Sequence, residues 1–366
     1  MDDEKPLFTE AGWVVRDGDL PEKRERRAAP KAARASAEKY LSKPVGGKAA
    51  ATPGSGGKGA PTPKAGKNAR KKGRRPLRIM VIGAHPDDCD LLAGGLALRH
   101  ARLGNAVKFV AVTNGNAGHH LRSPAETAFV REHEAANAAA TLGAEYECLG
   151  VDDGHVWVCE DQMRRVVRVV REWCPDLVIT HRPYDYHRDH RYTGQLVTDA
   201  SYMLIVPHYY PEFPVRTRDV PLFAYAWDNF TRPYPFTPDV FVHVEPEEFE
   251  VKVRAVANHE SQVYEWLPWT LQMEDVVDEE TDEDKRLELV GMIINNHFGD
   301  VTKLYHESLL RDAFGEGAAS FEAFELCQYG KVTAKPPTRR ELKRFFPGGF
   351  FPKKGVVRKV LERTAT

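Results

Sequence analysis

Two stretches of this 366-residue chain hold side chains whose types and spacing suit chemistry. The first is Ala84-His85-Pro86-Asp87-Asp88. Adjacent carboxylates repel each other, and a bound cation is one natural way to keep both ionised. The alternative is a turn in which Asp87 or Asp88 caps a helix beginning near Leu91. His85, and a second cluster further along, favour the cation. That cluster contains His181, Asp185, His187, Asp189 and His190. A hydrated polar loop would also account for it, but not for why both clusters follow apolar runs. Three protein ligands with a water in the fourth position is the usual pattern of a catalytic zinc, and His and Asp donors suit it. His85 and Asp88 can reach one ion from the first stretch, and one histidine of the second can complete the set.

The elements that must position these residues are legible as alternating strands and helices. Residues 77–84 and 176–181 read as short buried parallel strands, rich in β-branched residues, and each runs directly into one of the clusters. Strands are also expected at 107–113 and 145–151, with helices at 91–102, 125–142, 161–173 and 192–205. This alternation implies an α/β fold, Rossmann-like in outline, with a mostly parallel sheet and right-handed crossovers. Such sheets hold their ligands at the carboxyl ends of the strands. No Gly-x-Gly-x-x-Gly follows the first strand, so a dinucleotide site is not expected. Residues 207–238, rich in Pro and aromatics, read as a long loop and a pocket wall. A strand at 239–244 and helices at 247–266 and 284–297 follow. Past Pro336 the chain reads as irregular and basic.

Several pieces in order complete the pattern: Ala84-His85-Pro86-Asp87-Asp88 with Gly94-Gly95, Thr113-Asn114-Gly115, Arg131-x-x-Glu134 and Leu149-Gly150 before Asp153-Gly154. His187-x-Asp189-His190-Arg191 and His259-x-Ser261-Gln262 close the series. On these motifs the chain resembles the PIG-L/LmbE-like de-N-acetylases. The family includes the N-acetylglucosaminyl-phosphatidylinositol, mycothiol-pathway and bacillithiol-pathway deacetylases, and the likeness runs from about residue 78 to residue 262. The resemblance implies a three-layer Rossmann-like fold with the metal site at the carboxyl ends of the strands. It implies His85, Asp88 and His190 as ligands of Zn2+ or another divalent transition metal. Asp87 would be the general base, His187 would stabilise the oxyanion, and Asp189 would orient His187. Arg131 and Asp153 match positions near the sugar hydroxyls; from the residues alone they serve equally as an ion pair with Glu134 and as a turn with Gly154. The family often has Glu after Asp88, where this chain has Cys89 and Asp90. His119 and His120 either rim the pocket or lie in a solvated loop. His208, His243 and His259 have no clustered partners and read as structural.

The chain as a whole sets the bounds. Net charge is −1, but residues 1–75 carry 19 Lys+Arg against 9 Asp+Glu, leaving 33 against 44 for the rest. Residues 1–75 read as a disordered, basic, low-complexity arm, residues 76–335 as the deacetylase domain and residues 336–366 as a basic tail. The arm has no interleaved aromatics, so at most weak, salt-sensitive contact with nucleic acid is expected. Five scattered cysteines without a C-x-x-C indicate a reducing compartment. No apolar run is long enough to span a membrane and the first residues lack a signal pattern, so a cytoplasmic protein is expected. The expected activity is removal of an N-acetyl group from an N-acetylglucosamine-type small molecule. The alternatives are hydrolysis of another amide, such as a thiol conjugate, or a catalytically silent scaffold whose basic arm binds polyanions.

Overall fold

The computed structural model describes residues 8–9, 12–13, 75–272, 274, 277, 282–298, 309–315 and 320–353. The expected basic arm, apart from residues 8–9, 12–13 and 75, and the end of the tail from 354 lie outside the described residues. Phe8–Thr9 and Gly12–Trp13 pair antiparallel with each other.

Seven strands form one sheet. In chain order they are β1 (Arg78–Gly83), β2 (Ala106–Thr113), β3 (Glu145–Val151), β4 (Leu177–Thr180), β5 (Leu222–Ala226), β6 (Val240–His243) and β7 (Phe321–Gly330). The order across the sheet is β3-β2-β1-β4-β5-β7-β6. The first five are parallel, while β7 runs antiparallel to both β5 and β6. The helices are α1 (Asp88–Arg102), α2 (Pro124–Thr141), α3 (Glu160–Trp173), α4 (Arg188–Met203), α5 (Pro246–Val256), α6 (Glu283–Phe298) and α7 (Arg339–Phe345), with shorter turns between.

The central strand shows why the fold has three layers. Alternate side chains of a strand point to opposite faces. Ile79 and Val81 of β1 enter the core with Leu92 and Leu96 of α1, and with Phe345 and Phe346 from the end of the chain. Met80 and Ile82 enter the opposite core with Val166 and Val170 of α3 and Leu196 and Val197 of α4. A strand buried on both faces must be apolar, as this one is from Ile79 to Gly83. The strand order reverses between β1 and β4, where an open α/β sheet leaves a crevice for ligands. The two strands end level, Ile79 opposite Leu177 and Ile82 opposite Thr180. The expected α/β, mostly parallel arrangement is therefore the observed one.

Three local readings are corrected, and one strand was not read at all. The stretch 207–238 contains β5, whose Leu222 and Ala224 fill one core while Phe223 fills the other; its short apolar run was masked by the prolines around it. The helix expected over 247–266 stops at Val256, and a π-helix, Ser261–Trp266, follows. The break turns His259, Ser261 and Gln262 inward, where they are buried. Strand β7 was not anticipated, because a buried Glu322 interrupts its apolar pattern. Residues 339–345, expected to be irregular, form α7, started by a capping box between Thr338 and Glu341 and packed through buried Phe345.

Candidate metal centre and active site

The site is built where β1 and β4 end. Ala84 leaves β1, and its N–H donates to Nε2 of His181, which leaves β4, at 3.2 Å. Asp88 opens α1, and its Oδ2 accepts the His85 backbone N–H at 2.7 Å, folding the loop back on itself. Neither Asp87 nor Asp88 caps α1 through its side chain, so both carboxylates remain available.

The three sequence-predicted ligands converge. His85 Nδ1 lies 3.1 Å from His190 Nε2. Asp88 reaches His85 Nδ1 through Oδ2 and His190 Nε2 through Oδ1, each at 3.5 Å. His190 Nδ1 lies 3.1 Å from Asp185 Oδ1. That contact puts the ring proton on Nδ1 and turns the bare Nε2 lone pair towards His85 and Asp88, as a carboxylate behind a ligating histidine does. Sequence reasoning gave no role to Asp185, although it stood inside the second cluster. His181 was also left without a role. It stacks on His190 at 4.2 Å, with Nε2 3.1 Å from Asp88 Oδ2, and could serve as a further donor.

The surroundings are acidic. His85 Nε2 faces Asp153 Oδ1 at 3.2 Å and Asp189 Oδ2 at 3.6 Å. Burial alone would lower the His85 pKa, but Asp153, Asp189 and Asp88 together hold it well above the ordinary value. Burial would raise Asp88, yet His190 and His181 hold it well below the usual carboxylate range. Protonated His85 donates from Nδ1 to the bare His190 Nε2 and from Nε2 to Asp153, so this centre holds a positive charge that a divalent cation would replace. The residues present therefore fit a divalent cation with N and O ligands.

Asp87 stands beside this cluster. Its Oδ1 accepts from Arg131 Nη2 at 3.0 Å. Arg131 is 3% exposed and donates through Nη1 to Gly115 O at 3.1 Å. The alternative pairing of Arg131 with Glu134 is not what forms. Glu134 instead accepts from the N–H and Oγ of Ser261, at 2.8 and 2.6 Å, and burial pushes its pKa up to about 7. Asp153 sits on a turn, as one reading had it, and also faces both His85 and Arg131. His259, read as structural, is fully buried with Nε2 2.8 Å from Asp90 Oδ2. Cys89 is a buried thiol directed at the Val81 and Val110 carbonyls.

The second loop corrects one expectation. The Asp189 carboxylate does not orient His187; it accepts the N–H groups of Gly154 and Val156 at 2.6 and 3.2 Å. A side chain in the first turn of a helix leans towards the helix N-terminus, which aims Asp189 at the loop after β3. His187 is instead the N-cap of α4, and its Nδ1 accepts the Asp189 backbone N–H at 3.2 Å. An accepting Nδ1 leaves the ring proton on Nε2. Burial, then His85 and His190, push the His187 pKa down to about 4, so the neutral tautomer with an Nε2–H donor is favoured.

Fold and site together define an α/β protein with a His/Asp cluster at the carboxyl ends of its central parallel strands. Residues 80–201 match the PIG-L family model, described as GlcNAc-PI de-N-acetylase. The diacetylchitobiose deacetylase of Thermococcus kodakarensis is 29% identical over 200 residues, which are 52% of this chain and 73% of that protein. A 4-oxalmesaconate hydratase of Pseudomonas putida is also 29% identical, over 142 residues, 36% of this chain and 54% of that one. In structure, the N,N'-diacetylchitobiose deacetylase of Pyrococcus horikoshii superposes with a TM-score of 0.51 at 20% identity, covering 72% of this chain and 88% of its own, a likeness of fold. No described helix is long and apolar enough to cross a membrane.

Proposed function

We propose that this protein is a metal-dependent hydrolase that removes the N-acetyl group from an N-acetylglucosamine-type sugar. The observation that carries the proposal is the convergence of His85, Asp88 and His190 next to a carboxylate, Asp87, that Arg131 aims separately. The PIG-L match and the likeness to a diacetylchitobiose deacetylase support the amide substrate.

A zinc or similar divalent ion held by His85, Asp88 and His190 would lower the pKa of a water and polarise the acetyl carbonyl. Asp87 takes the proton from the attacking water and returns it to the departing amine. Arg131 fixes one Asp87 oxygen and leaves the other for this proton, so we assign Arg131 to positioning the base rather than to touching a hydroxyl. His187 donates from Nε2 to the developing oxyanion. Asp185 holds His190, and Asp189 holds the loop carrying Asp153, which faces His85 and is available to a sugar hydroxyl.

Metal analysis coupled to an amine-release screen over acetylated sugars tests the reading. Bound divalent metal, with release that a chelator abolishes, is expected. A metal-loaded protein that releases no amine from any acetylated sugar would overturn it. The hydratase relative motivates a second reading, addition of water to an activated double bond, recognisable as an 18 Da gain without loss of acetate.

A further inference from the structure

His119 and His120 begin a column of stacked rings that the mechanism does not use. His120 lies 4.9 Å from His119 and 4.8 Å from Trp269, within 12° of parallel in both cases. Trp266, at the end of the π-helix, stacks on Trp269 at 5.1 Å. His120 and Trp266 are 6.4 Å apart, too close to cover opposite faces of the Trp269 ring. Both rings therefore lie on one side of that indole, and among the described residues Trp269 keeps 42% of its surface exposed.

The column is held rigidly. Glu265 accepts from Arg122 Nη1 and Nη2 at 2.5 and 2.9 Å and lies 2.8 Å from His119 Nε2. His119 Nδ1 accepts the N–H groups of Leu121 and Arg122, both at 3.1 Å. Gln262 Nε2 donates to Gly118 O at 3.0 Å, tying the π-helix to the same loop. A π-turn inside helical structure often marks a functional site.

The loop that leads into His119 adjoins the chemistry. A Cβ built on Gly118 would sit 2.6 Å from Arg131 Nη1 and 3.6 Å from Asp153 Oδ2. His120 lies two residues further along the chain. We propose that the exposed side of Trp269, backed by His120 and Trp266, is a carbohydrate-stacking subsite for the ring bonded to the reacting N-acetylated sugar. The proposal rests on the deacetylase reading for its substrate. A pyranose shows axial C–H groups of slight positive charge on one face, which match the negative face of an indole. Stacking of this kind selects a ring without reading its substituents, and rigid backing lowers the ordering loss on binding.

The full chain, metal-loaded, is assayed on N-acetylglucosamine and on N,N'-diacetylchitobiose. Trp269→Ala should raise KM for the disaccharide about tenfold, leave kcat within about twofold, and leave kcat/KM for the monosaccharide unchanged. Trp269→Phe should recover most of the loss. Equal losses on both sugars, or no loss on either, would overturn the subsite. Direct titration with the disaccharide, followed by tryptophan fluorescence, separates this inference from the activity. If neither sugar is hydrolysed, binding that weakens about tenfold in Trp269→Ala supports the subsite. Binding that is absent, or indifferent to Trp269, sinks it.

Discussion

Two buried polar clusters in this molecule follow opposite rules. At Lys252 and Glu322 cation meets anion. Lys252 Nζ donates to Glu322 Oε1 at 2.7 Å and to Leu91 O at 2.9 Å, with both side chains 3% exposed. The reason lies in α1, where Ala93 leaves the helical conformation (φ −149°, ψ 23°). Gly95 and Leu96 then offer their N–H groups to the two Glu322 oxygens, at 2.7 and 2.8 Å. In the cluster at His85 the positive charge has to be brought in, as a proton on His85 or as a cation in its place. Two imidazole nitrogens lie 3.1 Å apart, and Asp153 and Asp189 both converge on the same ring. A matched cluster is satisfied by its own residues and holds the fold. A cluster that needs a proton or a cation at its centre can exchange one for the other, and that need identifies the site more surely than burial does.

The contrast is broken most severely at His190. His190→Ala should strip the metal and lower turnover by more than about 10³-fold. Asp87→Asn comes next. It keeps the shape and the Arg131 contact but cannot take a proton, so metal should remain while kcat falls roughly 10²–10⁴-fold. Near-normal turnover would move the base elsewhere, with Asp153 the first candidate.

The part of this site that rests on local spacing was legible in the sequence. His85, Asp87 and Asp88 follow a strand within five residues of Gly83, and His187 and His190 are one helical turn apart. What stayed hidden depends on partners brought from other strands. Asp189 and Asp185 both neighbour the histidines in sequence, and only the direction of α4 decides that Asp185 meets His190 while Asp189 turns to Gly154 and Val156. The Arg131–Asp87 contact joins α2 to the end of β1. The α/β alternation was readable because buried parallel strands are uniformly apolar. Strand β7 was not, because its Glu322 belongs to the matched cluster and its partners, Lys252 and Gly95, lie far away in sequence.

Glu322 gives the complementary test. Glu322→Ala leaves Lys252 buried without its carboxylate and leaves two N–H groups of α1 unpaired. Breaking a buried pair from one side typically costs about 3–5 kcal/mol. Chemical denaturation should show a loss of that order. The variant's metal content should be unchanged under conditions where it is folded. A loss below about 1 kcal/mol would mean that the matched cluster does not hold the fold.

The smallest expected effect comes from His100, a buried imidazole satisfied without any charge. Leu77 N–H donates to Asn105 Oδ1 at 2.9 Å, which turns the Asn105 amide nitrogen towards His100 Nδ1, also at 2.9 Å. His100 Nδ1 must therefore accept, and its Nε2–H donates to Phe345 O at 2.9 Å, fastening the end of α7. Protonation would set a second hydrogen against the Asn105 amide. Burial is the main cause that pushes the His100 pKa from the ordinary 6.5 down to about 4, and Arg99 adds to it, outweighing the Phe345 carbonyl. With the folded pKa below the unfolded one, this group's stabilisation is fully present above pH 6.5. It is lost as pH falls towards 4, because over that window the unfolded chain binds the proton and the folded chain does not. The loss is about 3 kcal/mol at most. His100→Gln keeps a donor for Phe345 and an acceptor for Asn105 but cannot titrate. Unfolding free energies of the two proteins, measured from pH 7 to pH 4, should therefore converge or cross as the wild type loses its share. Curves that stay parallel over that range would show that His100 is protonated in the folded protein and that α7 is held some other way.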